Sequence, residues 1–103
     1  MTDPLPVDVT VLAAQHIRKA DEWWRVNRTA VPNAVRQEVE KTFMLIARQP
    51  RVGSRAHDVR LSGVQRILLP TIKYYLYYRV LTEPGRIEVV PLWHRRRGTG
   101  PPI

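Results

Sequence analysis

The sequence contains no cysteine, so it offers neither a disulfide nor a thiolate metal site. Its three histidines, His16, His57 and His94, are scattered and do not have metal-ligand spacing. No apolar run approaches the roughly 20 residues that span a bilayer. Residues 1–6 lack the basic and apolar regions of a signal peptide. We therefore expect a cytosolic protein that uses no metal or other cofactor and does not bind membranes.

Acidic residues are also few, and the charge is uneven. The chain of 103 residues has 17 Lys and Arg against 9 Asp and Glu, a net charge of +8. Residues 1–50 hold 7 basic and 6 acidic residues, a net +1, whereas residues 51–103 hold 10 and 3, a net +7. This asymmetry predicts an anionic partner, either a nucleic acid or an acidic protein.

The N-terminal part predicts a strand followed by a helix. Residues 1–6 are rich in proline and are expected to be loose. The segment Val7–Leu12 alternates apolar and polar side chains and predicts a short strand. A helix is predicted from Ala13 to about Asn27, on which Trp23 and Trp24 point roughly 100° apart, so that they cannot be equally buried.

A second helix is predicted to begin near Pro32, which suits a first helical turn, and to end before Pro50. An apolar stripe marks its core-facing side: Val35, Val39, Phe43 and Ile46. The few residues between the two helices favour an antiparallel helical hairpin. Residues 50–58 show no periodicity and predict a loop.

Three further strands are predicted at Val64–Leu69, Lys73–Leu81 and Arg86–His94, the last two joined by a turn at Thr82–Gly85. Pro91 cannot donate a ladder hydrogen bond, so it requires an edge, a bulge or the end of regular pairing.

The predicted fold is therefore α+β: an N-terminal strand, an antiparallel two-helix hairpin, and a three-stranded antiparallel meander that completes one sheet. Residues 7–94 form the single domain, and residues 95–103 form a basic tail rich in Gly and Pro, expected to be extended or disordered.

The strand that begins at Lys73 organises the prediction, because successive side chains point to opposite faces of a sheet. The nearly apolar set suits the core: Tyr74, Leu76, Tyr78 and Val80. The aromatic and cationic set suits a surface that meets a polyanion or an acidic partner: Lys73, Tyr75, Tyr77 and Arg79. From the residues alone, this second face is either solvated surface or a binding site.

The order of elements, together with three short motifs, resembles the RelE/ParE superfamily of bacterial toxins from about Val9 to Arg97. The motifs are Asp58-Val-Arg60-Leu before the second strand, Tyr-Tyr-Arg79-Val in the third, and Trp93-His94-Arg-Arg-Arg97 after the fourth. The resemblance implies the toxin of a type II toxin–antitoxin pair, whose cognate antitoxin lays an extended or helical segment along the toxin.

The superfamily has branches with different chemistry. RelE-like members are ribosome-dependent mRNA endonucleases, and ParE-like members poison DNA gyrase. The nuclease branch tends to carry a catalytic residue such as Tyr after the last strand, whereas Arg95–Ile103 contains no Tyr, Lys, His or carboxylate. The His94-x-x-Arg97 ending looks more like the ParE-like branch, which we favour. The alternatives are a RelE-like nuclease acting on the ribosome and mRNA, and a basic nucleic-acid-binding domain.

If the protein poisons gyrase, as we favour, we assign no catalytic residue. If it is a nuclease, the catalytic residues would be His94, Arg60 and Arg79. His16 and His57 are expected on the surface. Partner contact is predicted for a basic and aromatic set: Arg60, Arg66, Lys73, Tyr75, Tyr77, Arg79, Trp93, His94, Arg95, Arg96 and Arg97.

Overall fold

The computed structural model describes residues 3–83, 85–95 and 100–103. It has the α+β architecture that the sequence predicts, with helices on one face of a single sheet. The elements are β1 (Val7–Val9), α1 (Val11–Asn27), α2 (Ala34–Arg48), β2 (Ser54–Arg55), β3 (Val64–Leu69), β4 (Tyr74–Thr82) and β5 (Gly85–His94).

The sheet has five strands in the order β1-β5-β4-β3-β2. β1 runs parallel to β5, and the other neighbours are antiparallel, so β3, β4 and β5 form the expected meander. The predicted loop at residues 50–58 contains the two-residue β2, which pairs with Gln65 and Arg66 of β3. So short a strand carries no periodic signal, which is why the sequence did not reveal it.

The predicted boundary between the first strand and α1 was wrong. The predicted first strand extended to Leu12, but it ends at Val9, and Thr10 is the N-cap of α1. The Thr10 hydroxyl accepts a hydrogen bond from the Ala13 amide at 3.2 Å, which satisfies one of the free N–H groups at the helix start. Capping by Thr10 therefore overrides the β-branched pattern that continues through Val11.

The start of α2 differs slightly from the prediction. Pro32 lies in the turn before the helix, Asn33 is the N-cap, and the helix begins at Ala34. In the predicted stripe Val35, Val39 and Ile46 are buried, and Phe43 is half-buried against the core.

Pro91 sits at a β-bulge, one of the three positions the sequence allowed. Leu76 pairs with Leu92 and Tyr78 with Val89, so that Val90 and Pro91 both lie opposite Tyr77. The bulge lets Val89 and Leu92 both reach the helix side of the sheet, with Val90 on the other side.

α1 covers the edge of β5 beyond the end of β1. The Thr10 amide donates to the Val89 carbonyl at 3.1 Å, and the Thr10 hydroxyl lies 3.0 Å from the Val90 carbonyl oxygen. His16 Nδ1 lies 2.9 Å from the Leu92 carbonyl oxygen, which can only accept, so Nδ1 carries the proton. His16 is thus half-buried, and its expected surface position was wrong.

The sheet has a hydrophobic cluster on each face. The main core lies between the helices and the sheet and includes Leu76 and Tyr78, as the alternation predicted. A second cluster on the opposite face, here called the back-face cluster, is formed by Val64, Tyr77 and Val90. Its partly buried rim consists of Ala56, Val59, Leu61, Tyr75, Trp93 and Ile103.

Both ends of the described chain are attached to the domain. The Leu5 amide donates to the Ala47 carbonyl at 3.0 Å, and Leu5 packs against the main core. At the other end, the Ile103 carbonyl accepts from the amides of Arg60 and Leu61 at 2.7 and 3.1 Å. The described part of the tail, residues 100–103, is therefore irregular in backbone but packed.

Candidate functional site

The back face carries a compact polar group, here called the Asp58 cluster: Asp58, Arg66, Tyr75 and Tyr77. The Tyr77 hydroxyl donates to Asp58 Oδ2 at 2.6 Å, and Arg66 Nη1 lies 3.4 Å from the same oxygen. The Arg66 guanidinium lies over the Tyr75 ring, 4.1 Å from its centroid, in a cation–π contact. Asp58, Arg66 and Tyr77 therefore each have a polar partner within the cluster, and Tyr75 contributes its ring.

The environment of Tyr77 keeps its hydroxyl protonated. Tyr77 is only 1% exposed, and burial, followed by its hydrogen bond to Asp58, raises the pKa of Tyr77 to about 12. The pKa of Arg66 is raised as well, mainly by the hydrogen bond between Arg66 and Tyr77. Tyr77 is thus a neutral hydrogen-bond donor, and its ring is not on the accessible surface where the sequence prediction placed it.

Arg79 is held by a carboxylate of the neighbouring strand. Its Nε lies 2.7 Å from Glu88 Oε1, and the two residues are directly paired across β4 and β5. Both side chains are half-buried. The charge of Arg79 is therefore largely balanced within the sheet.

Arg60 lies beside the end of the tail. Its side chain is exposed, and its backbone is bonded to Ile103. Gly100 passes directly over Asp58, where any side chain at position 100 would collide with the Asp58 backbone. The tail thus covers part of the motif Asp58-Val-Arg60.

A second group of predicted residues lies on the helix side, at the end of the sheet where β4 begins and β5 ends. His94 pairs with Tyr74, and their rings contact edge-to-face with centroids 4.9 Å apart. Lys73 lies in the turn before β4, not within the strand as predicted, and its φ of 63° is in the left-handed region. The Arg95 amide donates to the Lys73 carbonyl at 2.9 Å, which joins the two predicted cations through the backbone.

The end of α1 completes this group with residues that the sequence prediction missed. Trp23 is 48% exposed and Trp24 is buried. Arg28 lies over both rings, 5.2 Å from the Trp23 centroid and 5.8 Å from that of Trp24. The i,i+4 spacing of Trp24 and Arg28 is a sequence signal that could have indicated this contact.

Together these residues line a cavity of about 370 Å³, here called the tryptophan pocket. Its lining consists of Trp23, Trp24, Arg28, Thr71, Ile72, Lys73, Tyr74 and His94.

The remaining predicted residues fall outside both groups. Trp93 is partly buried against the back-face cluster, and its ring centroid lies 6.1 Å from that of His16. His57 is exposed, as predicted. Arg96 and Arg97 lie outside the described residues.

The three residues of the nuclease alternative do not form one centre. His94 lies against Tyr74 on the helix side, whereas Arg79 lies on the back face beside Glu88. From Tyr74 to Arg79 the strand advances by about 16 Å at roughly 3.3 Å per residue. Arg60 is on the segment that borders the back-face cluster, so His94 is separated from both arginines by the sheet.

An apolar groove lies between α2 and the outer edge of β3, with a volume of about 700 Å³. Ile67 and Leu68 line its sheet side, Met44 (64% exposed) lines its helix side, and Lys41 and Arg48 add positive charge. Within the described chain, β2 covers only Gln65 and Arg66 of this edge, so Ile67–Leu69 have no strand partner there.

Among the described residues, no group of three or more His, Cys, Asp or Glu is placed to hold a metal ion. No helix in the described ranges is long and apolar enough to cross a membrane.

The fold is that of a known class of protein, the RelE/ParE-like toxins. A solved structure with the same fold is that of the RelBE2 toxin–antitoxin complex from Mycobacterium tuberculosis, with a TM-score of 0.65 and 25% sequence identity. The match covers 89% of this chain and 99% of the matched chain.

Residues 7–98 match the family described as the ParE toxin of the type II toxin–antitoxin system parDE. The chain belongs to this family and is a type II toxin. No curated protein sequence matches the chain.

Proposed function

We propose that this toxin acts in the cytoplasm by binding and poisoning DNA gyrase and that a cognate antitoxin neutralises it. The observation that carries the first part is the separation of His94 from Arg79 and Arg60 across the sheet. Cleavage of RNA requires a base, an acid and phosphate-binding cations around one phosphate. The described residues do not bring His94 together with Arg79 and Arg60, the set that the nuclease alternative would use, and membership of the ParE family supports gyrase as the target.

Purified toxin should inhibit supercoiling by gyrase and cause cleaved DNA to accumulate. Preincubation with the antitoxin should abolish both effects. A type I topoisomerase relaxing the same plasmid is the control, because it should not respond to the toxin. Unchanged supercoiling at a large molar excess of toxin would contradict the proposal.

The groove between α2 and β3 supports the antitoxin part of the proposal. An apolar segment that enters it can add main-chain hydrogen bonds to the unpaired edge of β3. Acidic residues flanking that segment would meet Lys41 and Arg48. The RelBE2 structure, a complex of toxin and antitoxin, supports a partner of this kind.

Met44→Asp tests the groove, because it places a carboxylate in the apolar wall. We expect antitoxin affinity to fall by at least about tenfold. Val26→Asp is the matched control, since Val26 is 76% exposed on α1 and does not line the groove. Equal affinities of the two variants would place the antitoxin elsewhere.

A further inference from the structure

The tryptophan pocket combines aromatic rings with positive charge. Its walls combine four ring side chains with two cations, and no described lining residue is Asp or Glu. Within the described chain, neither Arg28 nor Lys73 forms an ion pair, in contrast to Arg66 and Arg79. The pocket therefore presents positive charge beside aromatic surface.

The ring surfaces are partly accessible. Trp23 is 48% exposed, a high fraction for a large aromatic side chain. Arg28 lies against both indoles, which orients its planar guanidinium. Its Nη1 donates to the Asn27 carbonyl at 3.5 Å, and its other N–H groups form no hydrogen bond with the described residues, so they can meet an anion. The pocket can thus receive a planar group on Trp23 and an anionic group on Arg28.

Lys73 lines the pocket and has a backbone conformation that non-glycine residues seldom adopt. Its amide donates to the Leu69 carbonyl at 2.9 Å, and its carbonyl accepts from the Arg95 amide. These two hydrogen bonds hold the left-handed φ of 63°. Such backbone strain is concentrated at functional positions, and here Lys73 is a second cation that lines the pocket together with Arg28.

We propose that the tryptophan pocket binds one unpaired nucleotide of a single-stranded nucleic acid. The base stacks against Trp23, and the phosphate is held by Arg28 and Lys73. A volume of about 370 Å³ is near the lower end of small-ligand pockets, which suits one nucleotide and excludes a duplex. Aromatic rings interleaved with cations are the usual means of binding single strands without sequence preference.

An acidic peptide would satisfy the two cations but would leave most of the ring surface unused, so the nucleic acid fits the lining better. The proposal goes beyond gyrase poisoning and does not depend on it, because it is tested by binding to the isolated toxin. Loss of supercoiling inhibition and loss of nucleotide binding are separate measurements.

The experiment titrates the full chain with a short oligothymidylate at low salt, using quenching of tryptophan emission and anisotropy of a labelled strand. Two further probes are an abasic strand of the same length and an acidic peptide with one tyrosine. We expect the oligothymidylate to bind most tightly and to quench emission. Equal binding of the abasic strand would overturn the stacking role of Trp23, and tighter binding of the peptide would overturn the nucleic-acid assignment.

Three variants locate the binding. Trp23→Ala should weaken oligothymidylate binding about 5- to 150-fold, the range for loss of one stacked base. Arg28→Gln and Lys73→Asn should each lower the slope of log affinity against log salt by about 0.7. Asn at position 73 tolerates the left-handed backbone, so this variant removes the charge without refolding the turn.

Arg51→Gln is the matched control, because Arg51 is exposed and does not line the pocket. Circular dichroism and thermal unfolding verify that each variant is folded. If Arg51→Gln weakens binding as much as Arg28→Gln, or if Trp23→Ala leaves it unchanged, binding is diffuse attraction to a basic surface and the proposal is wrong.

Discussion

The two faces of the sheet are covered in different ways. Two regular helices cover the helix side. The irregular residues 56–61 and Ile103 pack against the back face. On the back face the cations Arg66 and Arg79 are paired with Asp58 and Glu88. Arg28 and Lys73, which form no ion pair with the described residues, line a pocket at the end of the helix side. A basic and aromatic strand face is therefore not necessarily an open binding surface.

The largest loss of stability is expected when Tyr77 on the back face is replaced. Tyr77→Ala removes a side chain that is 1% exposed and should lower the free energy of unfolding by about 3–5 kcal/mol. Trp23→Ala is the contrasting variant and should cost much less, because Trp23 is 48% exposed. Urea denaturation measures both. A loss below about 1 kcal/mol for Tyr77→Ala would mean that the back face is open in solution.

The helix side offers a matched pair of adjacent residues. Phe43 is half-buried against the main core and Met44 is 64% exposed, so Phe43→Ala should cost about 2–3 kcal/mol and Met44→Ala less than about 0.5 kcal/mol. The same denaturation experiment compares them. Equal losses would mean that the stripe on α2 does not face the core.

High pH should lower the free energy of unfolding because Tyr77 titrates at a higher pH in the folded protein than in the unfolded chain. Its pKa is raised from 10.0 to about 12 in the folded protein, so between these values the unfolded chain loses a proton that the folded chain retains. The free energy of unfolding should therefore be steady below pH 10 and fall as the pH rises toward 12. Burial also raises the pKa of Tyr78, so Tyr77→Phe should reduce this fall without abolishing it. An unchanged pH profile in Tyr77→Phe would contradict the assignment.

A small effect is expected for the ion pair between Arg79 and Glu88 on the back face. Arg79→Gln removes a partly exposed cross-strand ion pair and should cost about 0.5–1 kcal/mol, with Glu88→Gln similar. The double variant should cost less than the sum of the single variants. Additive losses would mean that the two side chains do not interact in solution.

Much of this arrangement was predictable from local pattern. The period-two alternation assigned Leu76 and Tyr78 to one face and Tyr75 and Tyr77 to the other, because the bulge lies in β5 and leaves β4 regular. The proline rule likewise restricted Pro91 to a small set of positions that included the bulge.

Other features depend on contacts between distant segments. The sequence showed Tyr77 on the second face, but its burial requires residues 56–61 and 103 to pack there. Gly53 is another case: a side chain at this position would lie 2.6 Å from the Tyr78 hydroxyl, which donates to the Pro50 carbonyl and accepts from the Gly53 amide. The tryptophan pocket joins the end of α1 to the turn before β4, which no local pattern indicates.

The most direct test of the proposed function places two assays side by side, with wild type and His94→Ala. One measures supercoiling by purified gyrase, and the other measures mRNA integrity in a translating extract. We predict that wild type inhibits gyrase and leaves the message intact. Cleavage of the message by wild type that is lost in His94→Ala, with gyrase unaffected, would contradict the account.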